Sequence, residues 1–379
     1  AVVALDAGMV PVVLSADERR GDPARSRPGV AVEMLTSGTT GRPKRVDIHA
    51  AKIWTALVAA RSLEAHAAGP PVPELRSSVS LVHSPIVHTS GLWRLLETLT
   101  AGRRIALLER FSVDGFVDLV RRHRPKSVSL VPAALQMVLD ADVDPEDLAS
   151  LRAVVSGTAP LAPETAEEFE RRYGIPVLGA YGATEFAGAI AAWSLPDKRR
   201  WGAAKRGSVG RILPGLSVRI VDEVTGAEVA VGERGVLEAR GTQLLQPGWT
   251  RTTDLASIDA DGFLYLHGRS DSAINRGGFK VHPEAIEEVL ESHDRIAGAC
   301  VIGMSHAHLG QVPVAVVELV DNGARPEPED LLAFARARLA GYQVPERILI
   351  VDALPRTPSM KVARGEVLAL AQQLHDEAI

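Results

Sequence analysis

Residues 126–182, KSVSLVPAALQMVLDADVDPEDLASLRAVVSGTAPLAPETAEEFERRYGIPVLGAYG, read as strand, helix, strand, helix, strand. KSVSLV, LRAVVSG and PVLGAYG are short apolar runs rich in β-branched and small residues. PAALQMVLDA and PETAEEFERRYG between them space their apolar residues as a helix does, and each opens on proline. Strands that alternate with helices in this way build βαβ units on a mostly parallel sheet, and ligands of such sheets sit beyond the carboxyl ends of the strands. The alternation reaches back to residue 46 through HAAKIWTALVAARSLEAHA, SSVSLVHS, GLWRLLETLTAG, RRIALLE and VDGFVDLVRRHR. From about Gly207 to Arg269 it gives way to short β runs broken by Gly and Pro: SVRIVD, RGVLEARG and GFLYLHGR. After Arg269 come mixed strands (ACVIGM, VPVAVVELV, RILIVDAL) and helices (PEAIEEVLESH, PEDLLAFARARLAG), the last predicted over 328–340 with Gly341 ending it. The expected fold is therefore α/β, with a large domain of mostly parallel sheets and helices over 1–206, a small β subdomain over 207–270 and a small α+β domain over 271–379.

A chain of 379 residues has ample core for two or three such domains, and its 46% hydrophobic and 23% charged residues are those of an ordinary globular protein. The net charge of -5 and the lack of a basic stripe with interleaved aromatics speak against a nucleic-acid partner. The single cysteine, Cys300, excludes an internal disulfide framework and favours the cytoplasm. No apolar run reaches the roughly 18 residues of a membrane span, and the opening AVVALDAGMVPVVL lacks a basic leader region.

Four polar, glycine-flanked segments interrupt these elements. LTSGTTGRPKRV, Leu35 to Val46, packs Gly38, Gly41, four hydroxyl residues and Lys44 into a run suited to phosphate. It departs from Walker A spacing, because Pro43 precedes the lysine and Arg45 follows it. AYGATEF brings Tyr181, Thr184 and Glu185 to a strand's carboxyl end, where Glu185 suits a magnesium ion bridging phosphate oxygens. RTTDLASIDADGFLYLHGRSD offers Asp254 and Arg269, a carboxylate being suited to a ribose diol. LPRTPSMKVARGEV carries Lys361 on a proline-bounded loop. Taken singly, each has a structural explanation as a turn, a helix cap or a surface ion pair. Their occurrence together, in order, is what points to chemistry.

The ordered set resembles the ANL superfamily of adenylate-forming enzymes, which includes acyl-CoA and aryl-CoA synthetases. TSGTTGRPK is similar to its phosphate loop, SGTAPL (Ser156 to Leu161) to its adenine-wall motif, YGATE to YGxTE, and GSVGRILPG to GxxGxxxPG. TTDLA resembles the TGD segment with Thr253 in place of Gly, GRSDSAINRGGFKVHPEAIEEVL the hinge and start of the C-terminal domain, and PRTPSMKVAR the PRTxxGK motif with Met360 in place of Gly.

The resemblance implies a role for each matching residue. Thr36, Ser37, Gly38, Thr39, Thr40, Gly41 and Lys44 would close over the β- and γ-phosphates of ATP, Thr184 would touch the α-phosphate, and Glu185 would hold Mg²⁺. Tyr181 would stack on adenine beside Gly182, with Gly157, Thr158 and Ala159 lining the base pocket, and Asp254 with Arg269 would hold the ribose. Lys361 would bridge the carboxylate and α-phosphate oxygens as the acyl-adenylate forms. Asp271 falls at the hinge of a mobile C-terminal domain, and Gly278 and Lys280 would meet the pantetheine and a phosphate of CoA. His88 takes the position that carries an aspartate in amino-acid-activating members, so the resemblance implies a fatty or aryl acid without an α-amino group, with His88 bordering the acyl pocket.

CoA is the expected acceptor because no carrier-protein domain follows; the phosphopantetheine of a carrier protein is the alternative. Family members carry a substantial stretch before the phosphate loop, whereas 34 residues precede Leu35, so an N-terminally incomplete large domain is expected. A non-catalytic, nucleotide-binding remnant is the reading from another class.

Overall fold

The computed structural model describes residues 2–3, 12–13, 28–36, 44–61, 75–86, 89–277, 279–306, 308–320, 325–357 and 360–376. The chain divides into two compact units, one of residues 1–219, 238–250 and 259–265, the other of 220–237, 251–258 and 266–379.

The first unit begins with two antiparallel pairs, β1 (Val2–Val3) with β2 (Val12–Val13) and β3 (Val30–Thr36) with β4 (Lys44–His49). Helix α1 (Ala50–Arg61) follows, then β5 (Val79–Val82), α2 (Thr89–Thr100) and β6 (Arg104–Leu107), with β5 and β6 paired in parallel. The chain continues through α3 (Val113–His123), β7 (Ser127–Ser129), α4 (Pro132–Asp140), α5 (Pro145–Leu148), β8 (Ala153–Gly157), α6 (Pro163–Tyr173) and β9 (Val177–Ala183). The alternating sequence pattern thus folds as expected, with β7, β8 and β9 parallel. Two antiparallel strands complete that sheet, β10 (Gly188–Ala192) and, after α7 (Leu195–Trp201), β11 (Arg211–Ile212), giving the order β11-β10-β9-β8-β7.

Helix starts follow local chemistry. Ser112 caps α3 by accepting from the Gly115 amide, Arg121, Arg122 and His123 fill its last turn, and Gly174 ends α6 in the left-handed region. Proline, whose fixed φ suits the first helical turn, opens α4, α5, α6 and α7.

Residues 216–269 form a four-stranded sheet in the order β12 (Leu216–Val221), β13 (Gly235–Gly241), β14 (Thr250–Ile258), β15 (Leu264–Arg269), and the division between units runs through these strands.

In the second unit, β16 (Ile274–Arg276), β17 (Phe279–Val281), α8 (Pro283–Glu291), β18 (Ile296–His306), β19 (Gly310–Leu319), α9 (Pro328–Arg336), β20 (Arg347–Val351) and α10 (Arg364–Asp376) follow in turn. The sheet runs β17-β16-β19-β18, with β20 parallel to β19. Side chains alternate across a strand, so β18 sends Ala299 and Val301 to one face and Cys300 and Ile302 to the other. The first face packs on Ile286 and Leu290 of α8 and Leu331 and Ala335 of α9; the second packs on Val367 and Ala371 of α10. A sheet covered on both faces needs unbroken apolar strands, which explains the run VPVAVVEL in β19.

The predicted helix over 328–340 ends earlier, at Arg336. Tight turns then close on Ala335, with the amides of Arg338 and Leu339 donating to its carbonyl before Gly341 is reached.

Candidate active site

Strands β8 and β9 run parallel, so their carboxyl ends, Gly157 and Ala183, lie on one side of the sheet. The two backbones approach closely there: a Cβ on Gly157 would sit 2.6 Å from the Ala180 carbonyl oxygen. Gly182 is tighter still, its missing Cβ lying 2.3 Å from the Gly188 carbonyl oxygen of β10. Thr184–Phe186 then form one 3-10 turn, closed by the Ala187 amide donating to the Thr184 carbonyl at 3.0 Å.

Three interactions within the first unit fix this turn. Phe186 is fully buried. Gln243, 2% exposed, donates its amide to the carbonyls of Phe186 at 3.3 Å and Ala189 at 2.9 Å. Thr89, the first residue of α2, shares a 2.8 Å hydrogen bond between its hydroxyl and that of Thr184, and also reaches the Met34 sulfur at 3.6 Å. Met34 belongs to β3, whose last residue Thr36 pairs with Lys44 of β4, so the stem of the phosphate-type loop adjoins the Thr184 turn. With Phe186 buried, Glu185 beside it is exposed and Tyr181 is half-buried.

Ser37, Gly38, Thr39, Thr40, Gly41, His88 and Gly278 lie outside the described residues, as do the side chains of Thr36 and Lys44.

Backbone strain concentrates at the same motifs. Five non-glycine residues among those described have φ in the left-handed region: Arg124, Asp142, Thr158, Ala187 and Met360. Arg124 and Asp142 sit at helix ends. Thr158 (φ 72) stands in SGTAPL, Ala187 (φ 52) closes the Thr184 turn, and Met360 (φ 64) adjoins Lys361. Such conformations cost about 1–2 kcal/mol for a residue with a Cβ and cluster at functional sites.

The second unit holds the other group of expected site residues. Arg269, at the end of β15, donates Nε and Nη2 to the two carboxylate oxygens of Asp271 at 2.8 Å each, and Nη2 also donates to the Thr253 hydroxyl at 2.6 Å. This partnership, Arg269 first and the Thr253 hydroxyl with it, holds the Asp271 carboxyl below the usual carboxylate range. Asp254, next on β14, is half-buried and has its amide bound by the Thr252 hydroxyl at 3.0 Å.

Lys361 lies on a turn in which the Thr357 amide donates to the Lys361 carbonyl at 2.8 Å, the Met360 amide donates to the Thr357 carbonyl at 2.8 Å, and Arg356 bridges to Val362. Just beyond, Arg364 donates Nη2 to both oxygens of Glu287 at 2.7 and 2.8 Å and Nη1 to the Val301 carbonyl at 2.8 Å, which pins the start of α10 to α8 and β18. Lys361 remains exposed by accessible surface, yet the protein around its ammonium, and secondarily the Arg269 guanidinium, lower its pKa from the ordinary 10.5. Lys280 pairs with Glu223 at 2.9 Å.

Glu185, which follows Thr184 on the 3-10 turn, is exposed, and a single accessible carboxylate suits magnesium, which completes its shell with water and phosphate oxygens. No group of three or more His, Cys, Asp and Glu that would cage a metal occurs among the described residues. No helix among them is long and apolar enough to cross a membrane.

Sequence reasoning missed Thr89 and Gln243. Thr89 left one signal, a hydroxyl between His88 and the predicted helix GLWRLLETLTAG, which the structure starts two residues earlier; Gln243 left none, since its partners are backbone carbonyls more than fifty positions away.

Comparisons with known proteins place the chain among its relatives. The model of the AMP-binding enzyme family matches residues 5–247, and that of the AMP-binding enzyme C-terminal domain matches 285–361. 4-Coumarate–CoA ligase-like 6 of Oryza sativa subsp. japonica is 29% identical over 377 residues, which cover 92% of this chain and 62% of the relative. Indoleacetate–CoA ligase of Aromatoleum aromaticum is 32% identical over 377 residues, covering 93% of this chain and 70% of the relative. The structure of ATP-bound MatB from Rhodopseudomonas palustris matches with a TM-score of 0.78 at 28% identity, over 89% of this chain and 67% of that one. The chain thus spans about 62% of the length of the rice ligase-like relative.

Proposed function

The chain belongs to the AMP-binding enzyme family of the adenylate-forming ANL superfamily, and from that premise we propose that it activates a carboxylic acid with ATP and passes the acyl group to the thiol of CoA. The observation that carries the reading is the strained Thr184 turn at the carboxyl end of β9, held by Thr89 and Gln243 and flanked by glycines that leave no room for a side chain.

In the first half-reaction a substrate carboxylate oxygen attacks the α-phosphorus of ATP. A new P–O bond forms, the bond to the β-phosphate breaks, and pyrophosphate leaves with the electron pair. The loop between β3 and β4 covers the departing phosphates from its paired base, while Thr184 hydrogen-bonds the α-phosphate and Tyr181 stacks on adenine beside Gly157 to Ala159. Asp254 and Arg269 take the ribose hydroxyls. Lys361 sets its ammonium against the negative charge that gathers between carboxylate and α-phosphate, supplying both orientation and stabilisation of the transition state. Glu185 would hold a magnesium ion, which would supply further positive charge to the phosphate oxygens.

In the second half-reaction residues 271–379 turn at Asp271, Lys361 withdraws, and Gly278 and Lys280 come to the pantetheine and a phosphate of CoA. The thiol, losing its proton, attacks the acyl carbonyl; a C–S bond forms and AMP leaves. Relatives named for coumarate and indoleacetate favour an aryl acid over a fatty acid, one being named CoA ligase-like and the other CoA ligase. A cytoplasmic location fits the single buried cysteine and the supply of ATP and CoA.

The test is carboxylate-dependent exchange of pyrophosphate into ATP across aryl, fatty and amino acids, followed by AMP release on adding CoA. Folded protein that exchanges with none of them would overturn the reading.

A further inference from the structure

Arg269 donates two N–H groups to Asp271 and one to Thr253, all within the second unit. The knot has a second side. Ser272 donates its hydroxyl to the Arg269 carbonyl at 3.0 Å and to Glu284 of α8 at 2.8 Å, while Gly268 (φ 102) lets the Glu284 carboxyl approach to 2.7 Å of where a Cβ would stand. Residues 268–272 are therefore held from α8 on one side and from β14 on the other, and the Thr253 hydroxyl is the β14 side chain that reaches the Arg269 guanidinium. Turning the chain at Asp271 requires the Arg269 contacts to loosen, and the 2.6 Å bond to Thr253 opposes that.

We propose that Thr253 is a positioning residue whose hydroxyl fixes the Arg269 guanidinium and, through it, the carboxylate of Asp271, so that one side chain sets both the aim of the ribose-binding arginine and the stiffness of the hinge. The inference rests on the adenylation reading for the role of Arg269. Thr253 stands where the motif it resembles has glycine, which offers no hydroxyl, so the restraint belongs to this chain.

Thr253→Val keeps the β-branched shape that suits β14 and removes only the hydrogen bonding; Thr253→Ser keeps the hydroxyl. The experiment measures amide hydrogen exchange across Ser270–Ser272 in the full chain, wild type and both variants, beside the KM for ATP and kcat of pyrophosphate exchange. Losing a hydrogen bond to a charged group should speed exchange of these amides about tenfold in Thr253→Val and raise the KM for ATP by a similar factor with kcat little changed, while Thr253→Ser stays near wild type. Wild-type exchange rates in Thr253→Val overturn the proposal. So does a fall in kcat and thermal stability that Thr253→Ser fails to rescue, since that marks a residue needed only for folding. The amide measurement needs no turnover: if the wild type proves inactive on every acid, the functional reading falls while the hinge restraint is still decided.

Discussion

Adding one methyl group at Gly182 would act directly on the Thr184 turn. The new Cβ would stand 2.3 Å from the Gly188 carbonyl oxygen, 2.7 Å from Ala189 Cα and 2.8 Å from the Gly188 carbonyl carbon, all backbone atoms of β10. Carbon and oxygen in ordinary contact keep about 3.3 Å, so the strands must part by roughly 1 Å at this point. β10 cannot yield alone, because Gln243 holds the carbonyls of Phe186 and Ala189 and Ala187 is packed among Met34, Ile53 and Trp93. The displacement therefore passes into residues 184–186. Overpacking of this kind costs about 1–3 kcal/mol of stability, and a misplacement of about 1 Å in catalytic groups costs on the order of 100-fold in rate. The assay is pyrophosphate exchange with the best acid, beside urea unfolding. Gly365→Ala serves as control, since nothing lies within 4 Å of a Cβ there. Gly182→Ala with exchange within about twofold of wild type and an unchanged urea midpoint would refute the reasoning.

Other outcomes follow from the second unit. Met360→Gly removes a left-handed φ penalty of about 1–2 kcal/mol and adds about 0.5–1 kcal/mol of unfolded-chain entropy, so the urea midpoint should rise slightly; a fall would contradict the strain. Burial lifts the Glu287 carboxyl from 4.5 to about 7 against the pull of Arg364 and the Val301 amide, so the folded state holds this proton more tightly than the unfolded chain. Its contribution to stability is complete below 4.5 and is lost as the pH rises to about 7, by roughly 3 kcal/mol at most, and Glu287→Gln should flatten that part of the stability–pH curve. Lys361→Ala should suppress adenylation by about 100-fold or more while sparing thioester formation from supplied acyl-adenylate; equal loss in both halves would argue against a withdrawn lysine. The alkaline fall of pyrophosphate exchange should lie below pH 10.5 in the wild type and vanish in Lys361→Arg, which stays charged; an unshifted fall would remove the lysine assignment.

The βαβ core was readable because local signals agree there. Apolar runs of strand length, proline at helix starts and Gly174 after α6 all mark the boundaries that the sheet adopts. The antiparallel edge was not readable: β10 spells GAIAA, too short and too rich in small residues to declare a strand, and it forms because β9 offers it an open edge. α10 also went unread, although Val367 and Ala371 stand one turn apart on its buried side. Motifs singled out Tyr181, Thr184 and Glu185 in the first unit and Arg269 and Lys361 in the second. The groups that hold the segments around them, Thr89, Gln243 and Arg364, act through contacts between distant segments that no spacing encodes.

The division into two units carries a further consequence for the covalent chain. The polypeptide passes from one unit to the other five times, after residues 219, 237, 250, 258 and 265. No single cut releases either unit as an uninterrupted fragment, and a junction placed anywhere between 219 and 266 apportions strands of both. Splicing this chain to a relative at Asp271 would therefore carry over only part of the second unit, leaving residues 220–237, 251–258 and 266–270 behind with the donor of the first.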